Sequence, residues 1–182
     1  MGIGRLLLRV VIGGIFIGHG MQKLTGAFGG GGLSGTEKMM EKTRMYPTNR
    51  NALAAALSET LGGCAIVLGA GMPAATATVT SVMATAVEKV HRRNGFWNAN
   101  GGYEFNLALV AAATALTIDG PGPLSVDALV GKHRWGVFWG LAGLGAGLLA
   151  SSFAIELGND AAPADAEEAP EKIESEEASG AR

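Results

Sequence analysis

Long apolar runs broken by short polar joints set the pattern of this chain, as expected of helices that cross a bilayer. Arg5 and Arg9 precede or open the first run, Leu6 to Met21. No convincing small-residue cleavage site follows it, so the run predicts a first transmembrane helix rather than a signal peptide. Gly14 and Gly18 on that run have the four-residue spacing of close helix contacts. A polar connection, Gln22 to Arg50, comes next and contains Gly29-Gly30-Gly31-Gly32 and Tyr46-Pro47. It lacks both the GKS or GKT ending and the preceding strand of a phosphate loop. It reads instead as a re-entrant or interfacial loop, or as glycines that let the backbone approach helix ends.

Asn51 to Met72 predicts a second helix. Pro73 permits a tight turn and opens a third helix, Ala74 to Val90, on which Ser81, Thr85 and Glu88 share one face. A connection this short makes the two helices antiparallel neighbours. Tyr103 to Ile118 predicts a fourth, ended by Asp119-Gly120-Pro121-Gly122-Pro123. Leu124 to Gly131 suits a short amphipathic piece. Trp135 to Leu157 is long enough to span again and carries Gly136, Gly140, Gly143 and Gly147. The fold expected is all-α: a transmembrane up-down four-helix bundle over residues 1–131, a fifth C-terminal transmembrane helix over 132–158, and an acidic disordered tail over 159–182.

Composition sharpens this picture. Hydrophobic residues make up 48% of the 182 residues even with the polar tail included. The net charge of −2 conceals an asymmetry, because eight acids from Asn159 onward face only Lys172 and Arg182. The body is therefore net positive. Gly and Ala dominate it, as small residues do where membrane helices pack closely. Cys64 is the single cysteine, which excludes an intrachain disulfide and a CxxC redox pair. No nucleic-acid partner is expected; the lipid bilayer is.

Chemistry concentrates in the joint between the third and fourth helices, Ala86 to Glu104. A connection that only had to be soluble would not need Phe96, Trp97 and Tyr103, whose character suits a membrane–water interface. Folding the first four helices up and down brings four separate regions to that same end. These are His19, Gln22 and Lys23; Glu59; Glu88, Lys89 and His91; and Tyr103, Glu104 and Asn106. Glu59 sits about two turns into an apolar helix, where an unpaired carboxylate is costly. It needs an ion pair, a ligand or a proton. His19, Glu59 and Glu88 are the candidate catalytic groups, since histidine and carboxylates hold and pass protons near neutral pH. Gln22, Lys23, His91, Phe96, Trp97, Tyr103 and Glu104 are the candidate ligand-binding groups. Glu88 and His91 have the Glu-x-x-His spacing of di-iron bundles, but those need two such motifs and two further acids, so no metal is expected. Basic residues of the Gln22–Arg50 and Lys89–Gly102 joints number eight, against Arg5, Arg9, Lys132 and Arg134 on the other side. That excess puts the candidate site and the tail in the cytoplasm.

Several of these segments resemble the DoxX-like membrane proteins. They are Gly14 to Leu24, Gly26 to Gly30, Gly35-Thr36, Glu59 to Gly63, His91 to Trp97, Gly101 to Glu104 and Gly120 to Gly122. The resemblance implies a four-helix, multi-pass protein of the bacterial inner membrane. The family takes its name from a subunit of a thiosulfate:quinone oxidoreductase, so it also implies an accessory role in a quinone-linked or sulfur/redox-stress system. On that footing His19 and Glu59 would bind or protonate a quinone head group, with Phe96 and Trp97 covering it. No motif for a bound redox centre is present, so electrons would come from a redox protein partner or a substrate. A fold shared this widely transfers better than an activity, and a small-solute transporter or a membrane scaffold are the other readings. The fifth apolar run and the acidic tail depart from the family pattern and suit an extra partner contact.

Overall fold

The structure, a computed structural model, describes residues 2–163. These residues form α1 (Ile3–Thr25), α2 (Gly32–Lys42), α3 (Thr48–Leu68), α4 (Met72–Ala86), α5 (Glu104–Asp119), α6 (Val126–Leu129) and α7 (Gly136–Asp160), and no strand occurs among them. The acidic tail expected from residue 159 lies outside the described residues from 164 on, and its first two positions belong to α7.

Among the described residues, three helices are long and apolar enough to cross a membrane: α1, α3 and α7. α4 and α5 have 15 and 16 residues and fall short of that length. α4 does not stop cleanly. It widens into a π turn, Val87–His91, before the chain breaks.

Small residues set how these helices meet. α1 packs antiparallel on α3, with Gly13 against Gly63 and Val67, and Gly20 against Thr60 and Ala56. A Cβ on Gly13 would lie 2.5 Å from the Gly63 carbonyl oxygen, and one on Gly63 would lie 2.6 Å from that of Gly13. Gly14 and Gly18, the pair singled out by spacing, face open space instead. Gly13 and Gly20 are two turns apart on the buried face beside Phe16, which decides which glycines matter. α7 runs parallel to α4 through the same device, with Gly143 against Pro73 and Gly147 against Ala77 and Thr80. Gly140 meets Ile118 of α5. α7 is thus packed into the bundle along α4 and α5 rather than appended to it.

Hydroxyls tie the same interfaces. Thr117 Oγ1 lies 2.7 Å from Thr76 Oγ1 and donates to the Met72 carbonyl at 3.1 Å. Thr85 and Ser151 join α4 to α7 at 2.8 Å. Between them sits the apolar core of Ile12, Phe16, Ile66, Val79, Leu109 and Leu116.

The Gln22–Arg50 connection is more ordered than a loop. Its centre is α2, whose Thr36 and Met40 are buried while Glu37, Lys38, Glu41 and Lys42 are not. Gly30 explains part of the glycine run, because a Cβ there would collide with the Gln22 backbone at the end of α1. Met40 and Met45 then pack on Ala52. The Tyr46 amide donates to the Gly158 carbonyl at 3.2 Å, which fixes this segment to the end of α7.

Candidate functional site

The directions of packing bring the C-terminal ends of α1, α4 and α7 and the N-terminal ends of α3 and α5 to one side of the molecule. A cavity of about 270 Å³ opens at that end between α2, α3, α4 and α7. Its walls are mostly apolar: Met39 and Met40 of α2, Ala54 and Ala55 of α3, Val82 and Ala86 of α4. Four ionisable side chains reach it, Lys23, Glu59, Lys89 and His91.

Glu59 is 3% exposed, and its burial is answered directly. Lys23 Nζ donates to Glu59 Oε2 at 2.6 Å, a charge-assisted contact from the end of α1 to the middle of α3. The Gly20–Thr60 contact one turn earlier holds the two helices close enough for it. Lys89 lies in the π turn beyond α4 and donates to Asn159 Oδ1 of α7 at 2.7 Å. His91 Nδ1 lies 2.7 Å from the Gly101 carbonyl oxygen. A carbonyl only accepts, so Nδ1 carries the proton and donates, which leaves Nε2 as the free polar atom of the ring.

The other residues of interest at this end are placed differently. His19 is exposed on α1 and does not line the cavity. Gln22 is half-buried and reaches the Phe28 carbonyl at 3.4 Å. Glu88 pairs with Arg92 at 2.6 Å on the surface and borders a separate hollow between α4 and α7 with Ala84 and Ser151. Ser81, Thr85 and Lys89 step by four and face the cavity together, so the face shared by Ser81 and Thr85 leads to Lys89 rather than to Glu88. That i, i+4 step was available in the sequence. Phe96, Trp97 and Tyr103 form an edge-to-face cluster with centroids 5.0 and 5.6 Å apart, beside the cavity rather than over it. Glu104 accepts from the Asn98 amide at 2.9 Å and thereby braces that aromatic loop. Among the described residues, no three of His, Cys, Asp or Glu converge as they would around a metal ion.

The opposite end holds a second polar cluster, which no sequence motif marks. Arg9 is 2% exposed. Its guanidinium donates to the carbonyls of Ile66 (3.0 Å), Val67, Pro121 (2.8 Å) and Leu124 (2.8 Å), joining α1 to the C-terminus of α3 and to the loop after α5. Positive charge at a helix C-terminus is favourable, and the planar guanidinium fork suits several carbonyls at once. Asp127 is 4% exposed and accepts from the amides of Gly71 (2.7 Å) and Met72 (3.1 Å) and from Trp135 Nε1 (2.7 Å). It therefore caps α4 from a distant segment. Arg9 is thus a clamp, and its weight as a topology signal is smaller than its charge suggests.

Three long apolar helices, packed into a helical bundle whose contacts run through glycine and threonine, define an integral membrane protein of helical type. Residues 4–92 match the family model DoxX. The chain is thus DoxX-like over α1 to α4, and the match ends at the π turn, before the Gly101–Glu104 and Gly120–Gly122 segments. No curated protein and no solved structure matches the chain.

Proposed function

We propose that this protein is a multi-pass component of the bacterial inner membrane, an accessory subunit of a quinone-linked or sulfur/redox-stress oxidoreductase system. α1, α3, α4, α5 and α7 are its five crossings, α4 completing its span through the π turn. The cavity beside Glu59 is its ligand site, and Lys23, Glu59 and His91 are the working residues of the set named above. One observation carries this reading: an apolar cavity at a bundle end that also presents a buried Lys–Glu pair and an imidazole with one open nitrogen. Such a mixture of apolar walls and a few convergent polar groups suits a small amphiphilic ligand. A quinone ring fits it chemically, with Met39 and Val82 as apolar neighbours and hydrogen-bonding groups for its oxygens. When bound, a quinone would supply two-electron redox chemistry; the residues would orient its ring and exchange protons at Glu59 and His91.

A membrane scaffold is favoured by one fact, the direct pairing of Glu59 with Lys23, which satisfies the deepest acid without any ligand. Purification from the native membrane in mild detergent separates the two. Stoichiometric recovery of a quinone and of a redox protein, identified by mass, is expected. Recovery of the protein with structural lipids alone would refute the quinone-linked reading.

A further inference from the structure

We propose that the cavity selects an acidic amphiphile, a ligand with an ionised oxygen on its head group and an apolar body, and that Lys89 is the residue that reads this charge. The inference rests on the reading of this cavity as a ligand site and names the class of ligand. The charges on its walls do not balance. Among the described residues Glu59 is the single carboxylate lining it, and Lys23 already occupies that carboxylate at 2.6 Å. Lys89 lines the same space, and its hydrogen-bond partner among the described residues is neutral, Asn159 Oδ1. Its neighbour Glu88 is engaged by both contacts of Arg92, at 2.6 and 2.9 Å, and points to the hollow on the α7 side. Arg44 adds further positive charge nearby.

A half-buried ammonium whose direct partner among the described residues is neutral, at the mouth of an apolar cavity, favours an anion there over a neutral group. A volume of about 270 Å³ holds a head group and a short apolar segment, not an entire lipid. The walls of methionine, alanine and valine suit that segment, with methionine able to adjust to its shape. Two sources share this chemistry: a fatty carboxylate, and a quinone bearing an ionised ring hydroxyl.

Photoreactive, diazirine-bearing probes in phosphatidylcholine nanodiscs test the inference with the full chain. One pair is decanoate and decanol; the other is a short-chain ring-hydroxylated quinone and its methyl ether. Crosslinks are mapped by mass to the α2, α3 and α4 segments that line the cavity. At least one charged probe should label these segments about tenfold more than its neutral mate, the scale of one charge-assisted hydrogen bond. Lys89→Gln should abolish that preference and Lys89→Arg should keep it, with thermal unfolding in detergent confirming that both variants fold. Which charged probe labels identifies the source. Equal labelling by charged and neutral probes, or a preference untouched by Lys89→Gln, overturns the inference; equal labelling by the two quinones leaves the quinone reading standing. Labelling by decanoate but by neither quinone supports the inference and removes the quinone. No labelling of the cavity segments by any probe overturns both.

Discussion

Replacement of Arg9 is the most exacting test of how this bundle is held together. The side chain is 2% exposed and donates four hydrogen bonds to carbonyl oxygens of Ile66, Val67, Pro121 and Leu124. Lysine keeps the charge but offers a single nitrogen in place of the fork, so it can hold the carbonyls on one side of the guanidinium and not those on the other. Loss of two charge-assisted hydrogen bonds, at about 1.5 kcal/mol each, gives a cost of about 3 kcal/mol for Arg9→Lys. Arg9→Met removes the buried charge and leaves all four acceptors without this donor. Ile66 keeps the Gly69 amide as a donor at 3.1 Å; at about 1.5 kcal/mol for each of the other three carbonyls left unsatisfied, the expected loss is about 4–5 kcal/mol. The assay is reversible unfolding in mixed micelles of mild detergent and dodecyl sulfate, followed by circular dichroism, for wild type and both variants. The order expected is wild type, then Lys, then Met. Unfolding of Arg9→Lys within about 0.5 kcal/mol of wild type, the ordinary scatter of harmless surface changes, would refute the clamp.

Three further outcomes follow from named contacts. Gly13→Leu should disrupt the α1–α3 interface and cost several times more stability in the same unfolding assay than Gly14→Leu, which enters open space; equal effects would mean α1 is rotated from the face described. Glu59→Gln removes the charge paired with Lys23, whose side chain is 22% exposed and can turn to water, so a loss of only about 1–2 kcal/mol is expected in that assay. Its quinone-dependent turnover with the native partner should fall sharply, whereas normal folding with normal turnover would favour the scaffold. With Cys64 replaced by Ala, Ser34→Cys should be inaccessible to an impermeant thiol reagent added outside the cell; labelling from outside would reverse the orientation given by the basic residues.

Much of the architecture was written in the order of residues. Apolar runs long enough to span, the turn at Pro73, the stop at Gly120-Pro121 and the short piece near Val126 each follow from local rules of length, propensity and backbone freedom. The convergence of Lys23, Glu59 and His91 on one end follows too, because the tight turn at Pro73 makes α3 and α4 antiparallel and successive crossings of a bilayer alternate in direction. Rotation about each helix axis is different in kind. It decided that Gly13 and Gly20, not Gly14 and Gly18, make the contact, and that His19 points away from Glu59 while Lys23 reaches it. Rotation of α4 likewise put the Ser81–Thr85–Lys89 row on the cavity and the Ala84–Glu88 row on the far side. Burial of Arg9 and Asp127 came from loops distant in sequence that supply carbonyls and amides, partners that carry no side-chain signature. Local pattern fixes what a segment becomes; which of its faces meets which neighbour is set by packing between segments, and only the assembled helices decide it.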